Sequence, residues 1–261
     1  MHDLDPEYLP SAKIPDAQAY FAQYRTDSDA ARRAFAFETH AYGPSSAEVL
    51  DLVIATPGAP LLVFFHGGYW RAFSKDDFAF VVAGFVPQGI SVALVDYGLA
   101  PAVALGTIVD QARAAVAFLR ALPAVDPQRI VVSGHSAGGH LAAMCAVTVP
   151  LAGLATISGL HDLEPLRRTS VNDALGLDAA TARDLSPMFA VPASPLRVFA
   201  TAGESESESF HAQGRRFAHA WAEHGAAATY AAMPGEHHFS IVQRLAEPGS
   251  TLTQRIRALF D

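Results

Sequence analysis

The chain has little cysteine and no long apolar run, and each lack excludes a class of protein. Its single cysteine among 261 residues, Cys145, excludes an internal disulfide, and the alanines around it predict a small core side chain. An unbroken apolar run of about 18 residues, the length that crosses a membrane as a helix, does not occur. The first residues also lack the basic and apolar regions of a signal peptide. We therefore expect a cytoplasmic protein that makes no contact with a membrane.

Basic residues are also scarce, and they are not clustered. The chain has 18 Lys and Arg against 26 Asp and Glu, which gives a formal net charge of -8. No basic patch is present that would hold a phosphate backbone, so we expect no nucleic acid partner. Histidines and acids are numerous, but the H-E-x-x-H spacing and comparable pairs of metal ligands are missing, so we expect no metal site.

The composition and the order of segments favour one α/β domain over residues 1–261, since 51% of the residues are hydrophobic. Strand-like and helix-like segments alternate from Val49 onward, which predicts a mostly parallel central sheet with helices on both faces. The predicted strands are Val49–Ala55, Leu61–Phe65, Ile90–Val95, Ile130–Ser133, Leu151–Ile157, Leu196–Ala200 and Ala227–Met233. The predicted helices are Asp76–Val86, Leu105–Leu122, Ala137–Val147, Phe210–His224 and Thr251–Phe260. We expect residues 1–45 to form an N-terminal arm, and residues 159–195 to form a small, cap-like insertion that faces the substrate.

The most informative motif is Gly134-His135-Ser136-Ala137-Gly138. It follows a strand-like apolar run and opens an alanine-rich helical stretch, which is the context of a nucleophile elbow. The elbow holds its serine at a sharp turn where strand and helix nearly touch, so the flanking positions must lack bulk. Ser136 is therefore the candidate nucleophile, and its activation requires a histidine, a carboxylate and an oxyanion hole elsewhere in the chain.

Paired glycines after an earlier strand predict the oxyanion hole. His66-Gly67-Gly68-Tyr69-Trp70 follows the apolar run that ends at Phe65, and glycines there let backbone amides approach a bound group. The amides of Gly68, Tyr69 and Ala137 are the expected donors to a tetrahedral intermediate. The alternative is a tight turn without function, and the elbow downstream favours the oxyanion hole.

The base and the acid are expected late in the chain, in the order serine, acid, histidine. Gly235–Phe239 places two histidines after the last predicted strand, and we take His238 as the base with His237 as the alternative. The acid is expected after the strand Leu196–Ala200, where three glutamates occur at alternate positions. These are Glu204, Glu206 and Glu208. Composition alone does not choose among them.

Together these motifs resemble the α/β-hydrolases, and within them the kynurenine formamidase (arylformamidase) type of serine hydrolase and its esterase relatives. The resemblance extends from about Tyr42 to the end of the chain. It is carried by HGGYW at 66–70, DYGLAP at 96–101, GHSAGGH at 134–140, SGLHDLEPL at 158–166 and HHFSI at 237–241. It implies an α/β-hydrolase fold and hydrolysis of an aryl formamide or a small ester. We expect a minimal cap and no cofactor.

The resemblance also assigns residues. In that family the acid lies four residues before a phenylalanine that begins a helix, in a pattern like D-S-P-E-F, and on Glu206–Phe210 this selects Glu206. It also assigns His238, which precedes Phe239, as the base. Gly98 stands where the family's DYRLAP pattern has arginine, so a contact made by that side chain is not expected here.

Several alternatives stay open at this point. Trp70 is a candidate for an aromatic wall that binds substrate, and the alternative is that it packs in the core. His161 is a candidate for lining the pocket entrance, and the alternative is that it makes a structural hydrogen bond. We expect a small-molecule ester or amide as the binding partner, and an aromatic one if the wall is real. The rival functions are a thioesterase or general carboxylesterase of the same fold and a non-catalytic binding protein. A homodimer is compatible with the sequence.

Overall fold

The computed structural model describes residues 2–261, and within them eight strands form one sheet in the order β1-β2-β4-β3-β5-β6-β7-β8. The strands are β1 (Glu38–Ala41), β2 (Val49–Val53), β3 (Leu61–Phe65), β4 (Ser91–Val95), β5 (Ile130–His135), β6 (Gly153–Ile157), β7 (Arg197–Gly203) and β8 (Ala227–Met233). β2 pairs antiparallel with β1 and β4, and the remaining neighbours pair in parallel. The carboxyl ends of the parallel strands therefore meet at one edge of the sheet, where α/β folds carry their functional loops.

The sheet is buried on both faces because its strands are apolar at consecutive positions. In β3, Leu61, Val63 and Phe65 belong to one hydrophobic cluster, whereas Leu62 and Phe64 belong to another on the opposite face. Helices cover both clusters. The α-helices are α1 (Asp5–Tyr8), α2 (Pro10–Lys13), α3 (Ala17–Ala34), α4 (Val82–Phe85), α5 (Leu105–Arg120), α6 (Ala137–Ala146), α7 (Asn172–Leu175), α8 (Ala179–Asp184), α9 (Glu208–Glu223), α10 (Ser240–Gln243) and α11 (Thr251–Arg257). The predicted α/β-hydrolase architecture is confirmed.

Two local predictions are wrong. The segment predicted as the helix Asp76–Val86 is a 3₁₀ helix over Lys75–Val81, then α4, then a 3₁₀ turn over Val86–Gln88. Phe78 departs from helical backbone angles (φ -123°, ψ 16°), so one continuous α-helix does not form. Strand β1 was not predicted, because its sequence ETHA is mostly exposed at the edge of the sheet and lacks apolar alternation.

The N-terminal arm and the insertion at residues 159–195 both pack on the body of the molecule. In the arm, the Tyr24 hydroxyl of α3 donates a hydrogen bond of 2.5 Å to the Phe239 carbonyl, so the arm is tied to the loop that carries His238. In the insertion, the Pro187 carbonyl accepts a hydrogen bond of 2.9 Å from the Trp221 indole of α9. No helix within residues 2–261 combines the length and the apolar character that crossing a membrane would require.

Candidate active site

Ser136 lies at a sharp turn between β5 and α6. Its backbone is left-handed (φ 55°, ψ -117°), and its amide donates a hydrogen bond of 2.8 Å to the Ile157 carbonyl of β6. A Cβ added at Gly134 would lie 2.2 Å from the Gly138 carbonyl carbon, and one added at Gly138 would lie 2.0 Å from the Phe65 carbonyl oxygen. Since larger residues cannot occupy these two positions, the glycines let strand and helix approach closely enough to form the turn.

Ser136 lines a cavity of about 280 Å³ at the carboxyl edge of the sheet. His238 lines the same cavity, and so do several aromatic side chains, including Phe73 and Phe78. The N-terminal arm supplies another part of the wall. Its contributions are Pro10, Ser11, Gln18, Phe21 and Tyr24. None of residues 159–195 lines this cavity, so the segment that faces the site is the arm rather than the insertion that we expected there.

His238 is paired with Glu206. The His238 Nδ1 atom donates to Glu206 Oε2 at 2.7 Å, and the two side chains are only 4% and 2% exposed. The other carboxylate oxygen, Oε1, accepts hydrogen bonds from the Ser158 hydroxyl at 2.5 Å and from the Gly203 amide at 2.7 Å. Three donors therefore fix the position of the Glu206 carboxylate, and the carboxylate in turn fixes the orientation of the imidazole.

The two other glutamates of this loop point elsewhere. Glu204 accepts a hydrogen bond of 2.9 Å from the Gly235 amide through Oε2. The Glu208 side chain is 74% exposed and pairs with Arg215 on the surface of α9. Of the three candidates, only Glu206 contacts a histidine of the Gly235–Phe239 loop.

The alternative histidine, His237, has a different environment. Its Nδ1 atom accepts hydrogen bonds from the amides of Phe239 and Ser240, at 3.2 Å and 3.3 Å, where α10 begins. Its ring contacts the edge of Tyr20 at a centroid distance of 4.7 Å. Partial burial lowers the pKa of His237, although nearby carboxylates oppose this shift. His237 therefore helps to form the turn that positions its neighbour His238.

His135 connects the turn at Ser136 to the Gly235–Phe239 loop that carries His238. It precedes Ser136 in the chain, and its Nε2 atom donates a hydrogen bond of 2.8 Å to the His238 carbonyl. Burial lowers the pKa of His135 well below its usual value, so the ring is neutral near pH 7. No hydrogen bond within residues 2–261 joins the Ser136 hydroxyl to His238, although both line one cavity. Such bonds are often long or poorly aligned before substrate is bound.

The loop after β3 has an unusual backbone. Gly68, Tyr69 and Trp70 have successive positive φ angles of 107°, 53° and 56°. Below the loop, the His66 ring stacks on Tyr97 with a centroid distance of 4.2 Å, and the Tyr97 hydroxyl donates to the His66 carbonyl at 2.7 Å. Burial lowers the pKa of His66 to about 4, so this support is uncharged at neutral pH.

Three backbone amides near Ser136 have no partner in the part of the chain that the structure describes. The amides of Gly68, Tyr69 and Ala137 donate to no protein acceptor between residues 2 and 261. Gly68 and Tyr69 line the cavity, and Ala137 follows Ser136 at the first position of α6. Free amides at the start of a helix and in such a loop are suited to bind a negatively charged oxygen.

Trp70 and His161 do not line the cavity, which corrects the expectation that they contact substrate. Both are fully buried. The Trp70 ring packs edge-on against His140 at a centroid distance of 5.0 Å, and the His161 ring stacks on Phe217 at 4.0 Å. Burial lowers the pKa of His161 to about 3, as expected for a neutral core histidine. Both side chains pack in the interior behind the site and do not face the cavity in which substrate would bind.

Some residues at the site were not identified from the sequence. Ser158 follows β6 at the carboxyl edge of the sheet, and this position is the signal that would have marked it. Phe21 and Tyr24 are three residues apart on one face of α3, a spacing that indicates a packed face but not which surface it covers. Within residues 2–261, no group of three or more His, Cys, Asp or Glu side chains is arranged to hold a metal ion.

Comparison with known proteins gives concordant matches. The BD-FAE family model matches residues 52–189. Kynurenine formamidase from Danio rerio is 30% identical over 234 residues, which cover 82% of this chain and 78% of that protein. The Salmo salar kynurenine formamidase is 31% identical over 235 residues, with the same shares covered.

Solved structures agree on the architecture. A candidate thioesterase from Silicibacter superimposes with a TM-score of 0.89 at 30% identity, covering 98% of this chain and 100% of that chain. A thermostable carboxylesterase from a metagenomic library superimposes with a TM-score of 0.75 at 20% identity, covering 93% and 95% of the two chains, and shows the shared fold. The chain is therefore a hydrolase of the α/β-hydrolase fold that belongs to the BD-FAE family, among the relatives of the kynurenine formamidases.

Proposed function

We propose that this hydrolase cleaves small carboxylic esters or aryl formamides through an acyl-enzyme formed on Ser136, with His238 as base and Glu206 as acid. The observation that carries the proposal is the His238–Glu206 pair, in which two further donors anchor Glu206 and His238 lines the same cavity as Ser136. This is the arrangement that a serine hydroxyl needs, because serine is a weak nucleophile until a base takes its proton.

In the first half of the reaction, the Ser136 Oγ atom attacks the substrate carbonyl carbon while its proton passes to Nε2 of His238. Glu206 accepts the Nδ1–H of His238, so it fixes the tautomer that leaves Nε2 free and stabilises the imidazolium that forms. The carbonyl oxygen becomes negative and is stabilised by the amides of Gly68, Tyr69 and Ala137. Loss of one such donor costs about 100- to 1,000-fold in rate.

Acylation is complete when the tetrahedral intermediate collapses and His238 gives the proton to the leaving group. For an aryl formamide the C–N bond breaks and the arylamine leaves with that proton, whereas for an ester the C–O bond breaks and an alcohol or phenol leaves. Water then gives a proton to His238 and attacks the acyl carbon. The bond from that carbon to Ser136 Oγ breaks, the acid leaves, and His238 returns the proton to Oγ to restore the hydroxyl.

The cavity and the relatives both support the proposed substrate class. An aromatic lining that includes Phe21, Phe73 and Phe78 accommodates an aryl group. Relatives that are 30% and 31% identical are kynurenine formamidases. A second candidate is thioester hydrolysis, which the TM-score of 0.89 to a candidate thioesterase favours. We propose a cytoplasmic location and the use of small substrates without a cofactor.

A fluorophosphonate label tests the nucleophile. We expect the wild-type protein to be labelled and the Ser136→Ala variant to be unlabelled, with kcat/KM reduced by at least about 10⁴-fold. Ser133→Ala is a matched control, because Ser133 is a buried strand serine whose hydroxyl has no hydrogen-bond partner within residues 2–261. Labelling that persists in Ser136→Ala would contradict the proposal. A comparison of kcat/KM for N-formylkynurenine, p-nitrophenyl acetate and an acyl-CoA then ranks formamide, ester and thioester.

The acid is tested by three matched substitutions. We expect Glu206→Gln to lower kcat by at least about 100-fold, because an amide cannot stabilise the imidazolium as a carboxylate does. Glu204→Gln and Glu208→Gln should change kcat less than about threefold, since these side chains bond to Gly235 and Arg215 instead. If Glu206→Gln were the mildest of the three, the assignment of the acid would be wrong.

A further inference from the structure

The wall of the Ser136 cavity contains one arginine and no acidic residue. Of the described residues that line the cavity, Arg71 is the only Lys or Arg, and no Asp or Glu is among them. Arg71 directly follows Gly68–Trp70 in the loop after β3, and its amide donates to the Gly68 carbonyl at 3.1 Å, which closes that turn. Its side chain is exposed. A positive charge therefore lies on the cavity wall two residues from Tyr69.

The arginine is not neutralised by the protein. Within residues 2–261 its guanidinium makes no salt bridge, whereas arginines such as Arg32, Arg215 and Arg244 pair with carboxylates. Its charge acts on the cavity lining, because it opposes the burial that raises the pKa of Tyr69. Other arginines, such as Arg33 and Arg255, also make no salt bridge within residues 2–261, but they do not line the cavity. A free guanidinium offers paired donors that match a carboxylate.

The carboxylate of the proposed triad, Glu206, does not compete for this arginine. Glu206 is only 2% exposed and is not part of the cavity wall. Its oxygens are occupied by Ser158, Gly203 and His238. An anionic group could therefore approach Arg71 without being repelled by an exposed acid on the same wall.

We propose that Arg71 selects aromatic esters or amides that carry a carboxylate on their aromatic part. The aromatic lining holds the ring, and Arg71 binds the anionic substituent, while the scissile carbonyl lies at Ser136. The inference rests on the proposed hydrolase function and adds a charge requirement to it. Arg71 is a specificity residue here, because it contacts the substrate away from the bond that breaks.

The test compares two acetate esters that differ in charge. The substrates are 4-acetoxybenzoate and its uncharged methyl ester, and the measured quantity is the ratio of their kcat/KM values. Comparing this ratio between variants cancels the intrinsic reactivity of each ester. We expect Arg71→Gln to lower the ratio about 5- to 20-fold, as expected for a hydrogen-bonded ion pair that is partly exposed. Arg71→Lys keeps the charge and should stay within about threefold of the wild type.

A matched variant controls for the overall charge of the protein. Arg255 is exposed on α11 and does not line the cavity, so Arg255→Gln removes one positive charge elsewhere and should leave the ratio unchanged. Added salt should lower the wild-type ratio and have little effect on that of Arg71→Gln.

Two results would overturn the inference. One is a ratio for Arg71→Gln within about twofold of the wild type. The other is an equal loss of activity on both esters, because Arg71 would then shape the loop rather than bind an anion. If the wild-type protein hydrolysed neither ester, the proposed hydrolase function would fail together with this inference. Activity on the neutral ester with an unchanged ratio would remove the inference alone.

Discussion

At the scale of single residues, the candidate acid depends on donors besides the histidine. A glutamate side chain has one more rotatable bond than an aspartate, so its carboxylate loses more freedom when it is fixed. Here Ser158 and Gly203 hold Oε1 and leave Oε2 for His238. Ser158 makes this bond from a left-handed backbone (φ 52°), a conformation that costs a non-glycine residue about 1–2 kcal/mol. Strain of this kind in a residue that supports an active site suggests a functional reason for it.

Two substitutions of Ser158 distinguish the effect of its hydroxyl on catalysis from the effect of its backbone strain on stability. Both Ser158→Ala and Ser158→Gly remove the donor to Glu206. We expect each to lower kcat about 10-fold with little change in KM, because the role we propose for Glu206 is to orient His238 and not to bind substrate. Glycine relieves the left-handed strain and alanine does not, so Ser158→Gly should melt about 2–4 °C above Ser158→Ala. Steady-state kinetics and thermal melting measure the two effects.

The hydroxyl itself is tested by a conservative replacement. Ser158→Thr keeps a donor at the same atom, and we expect it to retain more kcat than either Ser158→Ala or Ser158→Gly. If alanine and glycine both kept the wild-type kcat, the donor to Glu206 would be unimportant for the reaction and Ser158 would have only a structural role.

At the scale of elements, the sequence predicts best what is apolar and local. Strands such as β3 and β4 are continuous apolar runs buried on both sides, and their predicted limits agree with the structure to within a residue. Strand β1 was missed because an exposed edge strand lacks that pattern. The helix predicted over 76–86 failed because apolar spacing does not distinguish a 3₁₀ helix from an α-helix over one or two turns.

At the candidate site, too, local sequence patterns could be predicted, whereas contacts between distant segments could not. The sharp turn at Ser136 could be predicted because the elbow is a local sequence pattern between a strand and a helix. Glu206 could not be separated from Glu204 by composition, since the difference lies in hydrogen bonds from Ser158 and His238, which are distant in sequence. The cavity wall from the N-terminal arm was also missed, because Phe21 reaches the site only through tertiary packing.

The longest element of the arm, α3, has a structural role at the site that can be tested. The buried Tyr24 hydroxyl donates to the carbonyl of Phe239, the residue after His238. Tyr24→Phe would leave that carbonyl without its donor, and we expect the melting temperature to fall by about 2–8 °C. We also expect a lower kcat, because the loop that carries His238 would be held less firmly.

A neighbouring tyrosine on the same helix provides the control. Tyr20 packs against His237 through its ring, and Tyr20→Phe preserves that contact while removing a hydroxyl. We expect it to melt within about 1 °C of the wild type, since it removes no buried hydrogen bond. Equal melting temperatures for Tyr20→Phe and Tyr24→Phe would show that the Tyr24 bond does not hold the arm in place.

At the scale of the whole molecule, several neutral histidines are buried around the sheet. Burial lowers the pKa of His66 and of His140 to about 4, lowers that of His161 to about 3, and lowers that of His135 well below its usual value. These rings belong to the core, where charging is unfavourable. Asp96 has the opposite effect on how stability changes with pH, because burial raises its pKa to about 6. The histidines outnumber it, so they decide how the stability of the fold depends on pH.

The histidines predict that the fold loses stability as the pH falls from 7 to 5. Each takes up a proton on unfolding below about pH 6.5. In the folded protein His66 and His140 stay neutral until about pH 4, and burial keeps His135 and His161 neutral as well, so the stability that these histidines contribute is present above pH 6.5 and decreases below it. Asp96 has the opposite sign, since its raised pKa makes it stabilising as the pH falls through 6. The net loss is about 3–6 kcal/mol at pH 5, and we expect the melting temperature to fall by about 10 °C or more.

His140→Gln should reduce this fall by about a quarter, whereas His219→Gln, on the exposed face of α9 with its side chain 78% accessible, should leave it unchanged. Equal melting temperatures at pH 7 and pH 5 would mean that these histidines are already solvated or charged in the folded protein, because a buried neutral ring must gain its proton on unfolding at pH 5.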